Sequence, residues 1–320
     1  MLFQRSFRSM GTGVQVQIVY GPGMQDAVTS LGESVESLFR EEHDRFTRFE
    51  SDSELSRLNA EGRLERPSAE MREVLEHSLH WHRATSRLFN PAILPALVAA
   101  GYDRTFDEIE FTDARASSLD RAAAPNFAAV CRVDPAPGGP VELSQNAQVD
   151  LGGIVKGWTV DRAARLLSTA SGYLIDAGGD IRVGGRAPEP CGWGIAIEDP
   201  FQRRYCADLI VLTDRGVATS STRRRAWTTG GRREHHLIDP RTGEPSRTDT
   251  VSATVVTDTV EKAEVYSKTA VLLGSVASLA WLSDRGDADA FLILENGESV
   301  ETEGWRRWRP YQRTAVSAAR

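Results

Sequence analysis

Four stretches of this 320-residue chain carry residues that could do chemistry. The first, VDLGGIVKGWTVD at 149–161, reads as a strand end, a two-glycine turn and a helix start. Gly152 and Gly153 permit a tight turn and a close approach of backbone N–H groups to a ligand. Lys156 falls in the first turn of the helix, where the dipole offers a cation no benefit. Free N–H groups and an ammonium together make an anion seat suited to phosphate. The pattern is neither a Walker A loop nor a GxGxxG loop. The same spacing also fits a plain turn with Lys156 extended into solvent. Asp161, further along the helix, fits a surface charge.

The second stretch, YLIDAGGDIRVGG at 173–185, ends an apolar strand at Asp176 and turns at Gly178-Gly179-Asp180. This fits a hairpin or bulge, or a backbone surface pressed against a flat ligand. The third, ATSSTRRRAW at 218–227, sets the hydroxyls of Thr219, Ser220, Ser221 and Thr222 ahead of Arg223, Arg224 and Arg225. Such a loop can hold phosphate through charge-assisted bonds, or can simply be solvated. The fourth, HHLIDPRTGEP at 235–245, places His236 just before an Asp239-Pro240 turn. Adjacent histidines on a strand point to opposite faces, so one of His235 and His236 faces any cleft. His77, His80 and His82 have no carboxylates at matched spacing and no HExxH pattern, and are not read as a metal site.

These residues need elements to position them. Val14, Val16 and Ile18 alternate with glutamines, which predicts a half-buried strand over 13–20. Apolar residues recur at helical spacing over 25–46. Ser53 and Ser68 suit helix N-caps, and Asn90-Pro91 suits a cap followed by a first-turn proline, with Gly101 ending that helix. Short strands are expected near 127–133 and 141–149. A helix follows to about Leu167. Further strands are expected near 173–176, 180–184, 193–198, 205–213, 226–229, 234–238 and 250–257. Helices over 260–273 and 275–283 precede a strand at 291–294. Helices early and strands late favour α+β over a regular βαβ array.

Composition bounds the rest. The chain is 40% hydrophobic with a net charge of -7, which is globular and lacks a nucleic-acid footprint. Cys131, Cys191 and Cys206 are scattered, which argues for reduced thiols. No apolar leader-like run or membrane span is read, so the expected place is the cytoplasm.

Taken in order, the stretches resemble the ApbE-type flavin transferases, the FAD:protein FMN transferase family. The resemblance runs from Met10 to Gly274. It rests on SMGT (9–12), RFESDSELSRLN (48–59), FNPAILPAL (89–97), VDLGGIVKGWTVD (149–161), LIDAGGDI (174–181), WGIAIEDP (193–200), GVATSS (216–221), HLIDPRTGEP (236–245) and SATVV (252–256). It implies a single α+β, T-fold-like domain over 1–315, divisible into two subdomains with the FAD site between them; the tail at 316–320 is expected to fray, as termini do. It implies binding of FAD and magnesium, and transfer of FMN to a threonine or serine hydroxyl of an acceptor flavoprotein with release of AMP. Some members instead hydrolyse FAD to FMN and AMP. On this chain, the implied FAD-site residues are Met10, Gly11, Thr12, Asp150, Gly152, Gly153, Lys156, Asp161, Gly178, Gly179, Asp180, Thr219, Ser220, Ile238 and Asp239. His236 matches the family's histidine and is the general-base candidate, or a positioning group.

The sequence departs from the family at the metal. Where members have an aspartate and a threonine one turn apart, EVYSKTAVLLG at 264–274 places Glu264 and Lys268. Gly153, Glu264 and Lys268 thus stand at the implied metal position. A protonated lysine cannot coordinate magnesium. Either Lys268 supplies positive charge to the pyrophosphate, or Glu264 and Lys268 are a helix-surface ion pair and the chain binds FAD without cleaving it. A second departure is TSST, where many members have TSG and an aromatic residue.

Overall fold

Val14, Val16 and Ile18 are buried and Gln15 is exposed, as the alternation requires. They sit on the second strand of an eight-stranded sheet. A computed structural model of the chain describes residues 1–110, 121–202 and 204–310; the expected tail at 316–320 lies outside them. The strands are β1 (Leu2–Ser9), β2 (Thr12–Val19), β3 (Gly172–Ala177), β4 (Asp180–Gly185), β5 (Arg215–Ser221), β6 (Thr250–Thr257), β7 (Asp289–Leu294) and β8 (Ser299–Glu301). They lie side by side in that order, each antiparallel to the next.

Both faces of the sheet are covered. Successive residues point to opposite faces, so Ile175 packs into one core and Leu174 into another. On the first face lie α1 (Gln25–Phe46), α4 (Val155–Leu166) and α5 (Val260–Leu273). On the second lies a hairpin, Trp193–Glu198 paired with Cys206–Leu212, together with Trp305. The helices α2 (Glu54–Glu61), α3 (Ala69–Ala84) and α6 (Ser275–Arg285) complete the helical half. The serine caps form as expected: Ser53 and Ser68 accept from the N–H groups of Ser56 and Met71 at 2.9 and 3.0 Å.

Three local expectations fail. Phe127–Val130 is a helical turn, and only Cys131–Val133 is strand. The carbonyl of Asn126 accepts from the N–H groups of Ala129 and Val130, which closes the turn. The strand expected over 141–149 stops at Leu143. Asn59 grips both backbone groups of Val149, at 2.8 and 2.9 Å, so that segment bonds a side chain and not a strand. Strands β1, β5 and β8 of the main sheet correspond to no expected strand.

The contact of α4 with α5 positions the site. A Cβ at Gly157 would lie 2.9 Å from the backbone of Val260 and Glu261. Asp161 is therefore not a surface charge. Its carboxylate accepts from the N–H groups of Val260 and Glu261, at 3.0 and 2.9 Å, and caps α5. Burial pushes this carboxyl up to about 6, against the pull of those two bonds. Asp161→Ala removes the cap. It should cost about 1–3 kcal/mol in urea unfolding, and an unchanged midpoint would contradict this role.

Candidate active site

A cavity of about 490 Å³ opens where four segments meet. The β1–β2 turn forms one edge. Met10 and Gly11 have φ of 51° and 66°, the pair of positive values that a two-residue hairpin turn needs. The turn brings Met10, Gly11 and Thr12 to the cavity. Thr12 in turn lies so close to Gly178 that a Cβ there would be 2.1 Å from its hydroxyl.

The second wall carries Arg48. Its guanidinium donates to Asp150 Oδ2 at 2.8 Å and to the Tyr102 carbonyl at 2.6 Å. It also stacks 4.2 Å from the Phe49 ring centroid and 4.7 Å from that of Tyr102. Asp150 is thereby shared: its Oδ1 accepts from Gly152 N–H at 2.9 Å and shapes the glycine turn. Phe46, Phe89, Leu97 and Tyr102 make this wall largely apolar.

The third wall is the Gly152–Lys156 turn with Lys268 from α5. Lys156 is neither in solvent nor a free anion ligand. Its ammonium bonds the carboxylate of Asp180, which is buried at the start of β4. Burial raises the pKa of Asp180, and Lys156 opposes that shift. This answers the placement of a cation at a helix N-terminus: its partner lies on the neighbouring sheet.

The fourth wall holds Arg225, His236 and Ile238. His236 Nδ1 lies 3.4 Å from the Arg225 carbonyl. Carrying its proton there, the ring has Nε2 as an acceptor, which makes no hydrogen bond among the described residues. Burial holds its pKa well below the usual histidine range, helped by the charges of Arg225 and Lys268. His236 is thus a neutral base at physiological pH. Arg225 donates to the Gly11 carbonyl at 3.4 Å and has no carboxylate partner among the described residues. His235 points away and bonds the Ser246 carbonyl at 3.0 Å.

The fold brings Met10, Gly11, Thr12, Asp150, Gly152, Gly153, Lys156, His236, Ile238 and Lys268 to one cavity. Other residues singled out from sequence lie elsewhere. Gly178, Gly179 and Thr219 line a neighbouring cavity of about 350 Å³. Ser220 is buried against the Ser267 hydroxyl at 2.9 Å. Asp239 pairs with Arg241 at 2.7 Å within its own turn. Glu264 is buried and accepts from Gly157 N–H at 2.9 Å. Arg48 and Tyr102 were missed as site residues. Arg48 does open the RFESDSELSRLN stretch, and that was the only signal available.

The residues at the implied metal position do not fit a magnesium ion. Magnesium needs oxygen ligands in octahedral array. Here the Lys268 ammonium donates to the Gly153 carbonyl at 3.1 Å and lies 3.4 Å from Glu264 Oε1. A cation already stands between the two oxygen donors. No group of three or more histidine, cysteine or acidic residues suited to a metal exists among the described residues. No helix among them is long and apolar enough to cross a membrane.

Known proteins share this fold and much of this sequence order. An FAD:protein FMN transferase of Vibrio cholerae is 25% identical over 312 residues, spanning 95% of this chain and 90% of that one. The ApbE protein of Thermotoga maritima shares the fold, with a TM-score of 0.85 at 20% identity over 97% of this chain and all of that one. The apo flavinyl transferase ApbE of Pseudomonas stutzeri does too, with a TM-score of 0.80 at 23% identity over 98% of each chain. A model of the ApbE family matches residues 10–292, and this chain belongs to that family.

Proposed function

We propose that this chain is an FAD:protein FMN transferase, moving FMN from FAD to a serine or threonine hydroxyl of an acceptor flavoprotein. The observation that carries the reading is His236, a neutral imidazole on the wall of a cavity that also holds cations and an aromatic face. The apolar wall around Phe89 and Tyr102 suits the isoalloxazine ring. Arg225 and the Lys156 turn suit the anionic linkage.

In the reaction, the acceptor oxygen forms a bond to the phosphorus on the FMN side. The bond from that phosphorus to the bridging oxygen breaks, and AMP leaves with the electron pair. The hydroxyl proton passes to His236 Nε2. Negative charge grows on the departing phosphate, and cations held in place by the fold stabilise it without reorganising. Two exposed free cysteines, Cys191 and Cys206, fit a reducing compartment such as the cytoplasm.

The test is incubation of the purified chain with FAD and a soluble extract as acceptor source. Chromatography should reveal AMP, and a denatured acceptor band should fluoresce as flavin. AMP without a labelled band would instead indicate hydrolysis of FAD. FAD recovered intact would overturn the transfer reading.

A further inference from the structure

The position where this family's implied metal would lie is held by an amine. We propose that Lys268 is the resident cation of the substrate site, so that this chain binds and cleaves FAD without a divalent ion. The inference rests on the FAD reading above.

Three observations support it. An ammonium has three donors. The fold directs Lys268 Nζ to the Gly153 carbonyl and Glu264, and Lys268 lines the cavity. A donor remains for a phosphate oxygen. Second, the arm is seated by its surroundings. A Cβ at Gly153 would lie 3.4 Å from Lys268 Cε and 3.5 Å from Nζ, which shows that the end of the lysine arm packs directly against the turn. Glu264 is itself fixed by the N–H of Gly157, on the first turn of α4. The carboxylate that would bind a metal is committed to a backbone donor and an ammonium.

Third, the charge balances. A divalent ion beside Glu264 would leave one net positive charge. Lys268 beside Glu264 leaves none. Arg225, on the same cavity and without a carboxylate partner among the described residues, supplies the missing charge. Both cations disfavour a proton on His236, which places their fields at the base. A tethered ammonium offers fewer contacts than a hydrated ion but carries no cost of ion capture.

The experiment is FAD binding by flavin-fluorescence quenching at matched ionic strength, in EDTA and then in excess magnesium chloride. Release of AMP is followed in parallel. For the unaltered chain, affinity should change by less than about threefold, as residual differences in screening allow. Lys268→Thr should bind FAD at least about tenfold more weakly in EDTA, the weight of one charge-assisted bond. Magnesium should restore much of that loss, because the variant regains an oxygen donor. Binding by the unaltered chain that collapses in EDTA and returns with magnesium would overturn the inference while leaving the flavin reading intact. So would a Lys268→Thr variant that binds as tightly as the unaltered chain in EDTA. Failure to bind FAD in either condition would sink the flavin reading, and this inference with it. The comparison on the unaltered chain decides the matter even if the variant does not fold.

Discussion

His236→Ala is expected to slow FMN transfer by about 10²–10⁴-fold, the range for loss of a general base, with FAD affinity little changed. The ring bonds the Arg225 carbonyl through Nδ1 and has Nε2 for the proton. Added imidazole should restore part of the rate by entering the space left by the ring. A positioning role predicts no such rescue, so its absence would remove the base assignment. The pH profile gives a second check. Burial and two nearby cations lower the folded-state pKa of His236, so the base is active through neutral pH. Rate should fall only below the ordinary histidine value of about 6.5, and the variant should lose that acid limb. Stability follows the same sign. With a depressed folded pKa, the contribution of His236 is complete above the unfolded value and is lost as pH falls through the folded one.

The second large effect is on stability. Lys156→Met should destabilise the chain by about 3–5 kcal/mol, the cost of leaving a buried charge unpaired. Asp180 is buried and Lys156 is its ion-pair partner. Burial already raises the pKa of this carboxyl in the fold. A raised folded pKa means the carboxyl's contribution is present below the unfolded value and lost as pH rises through the folded one. The variant should therefore be worst near pH 8 and should recover as the medium is acidified and Asp180 takes a proton. Urea unfolding at several pH values measures this. Equal losses across that range would mean that the lysine acts through packing and not charge. Combining Lys156→Met with Asp180→Asn should recover stability at all pH values. It would also show whether the ammonium has a separate effect on FAD affinity.

The parts of the fold that sequence makes legible are those written in local periodicity. Strand β2 declares itself through three buried aliphatics, and α1 through apolar residues at helical spacing. Strand β1 does not. It is an edge strand, half exposed along its length, with Arg5 between its two phenylalanines and Arg8 after the second. Strand β5 hides for the opposite reason. Its Thr219, Ser220 and Ser221 look like a loop, but their hydroxyls are accommodated inside the sheet, Thr219 against Thr254 at 2.9 Å. The site divides along the same line. The Gly152–Lys156 turn is a contiguous motif and was legible. The partners of its residues were not. Arg48 meets Asp150, and Lys156 meets Asp180, across stretches that no spacing rule connects. Asp161 shows the same limit: the helix end that its carboxylate caps lies about a hundred residues further along the chain.

The order of the main sheet has a kinetic consequence. Val14 lies opposite Ala177, with α1 to α4 falling between them in the chain. The two walls of the cavity that carry Met10 and Lys156 are joined only when this distant pairing closes. Non-local pairing of this kind must meet its loop-closure entropy before any contact rewards it. On an emerging polypeptide the first hairpin would wait for about half of the 320-residue chain before finding its neighbour at Gly172–Ala177. FAD can therefore stabilise the finished chain by mass action, but it cannot template the early stages of its assembly.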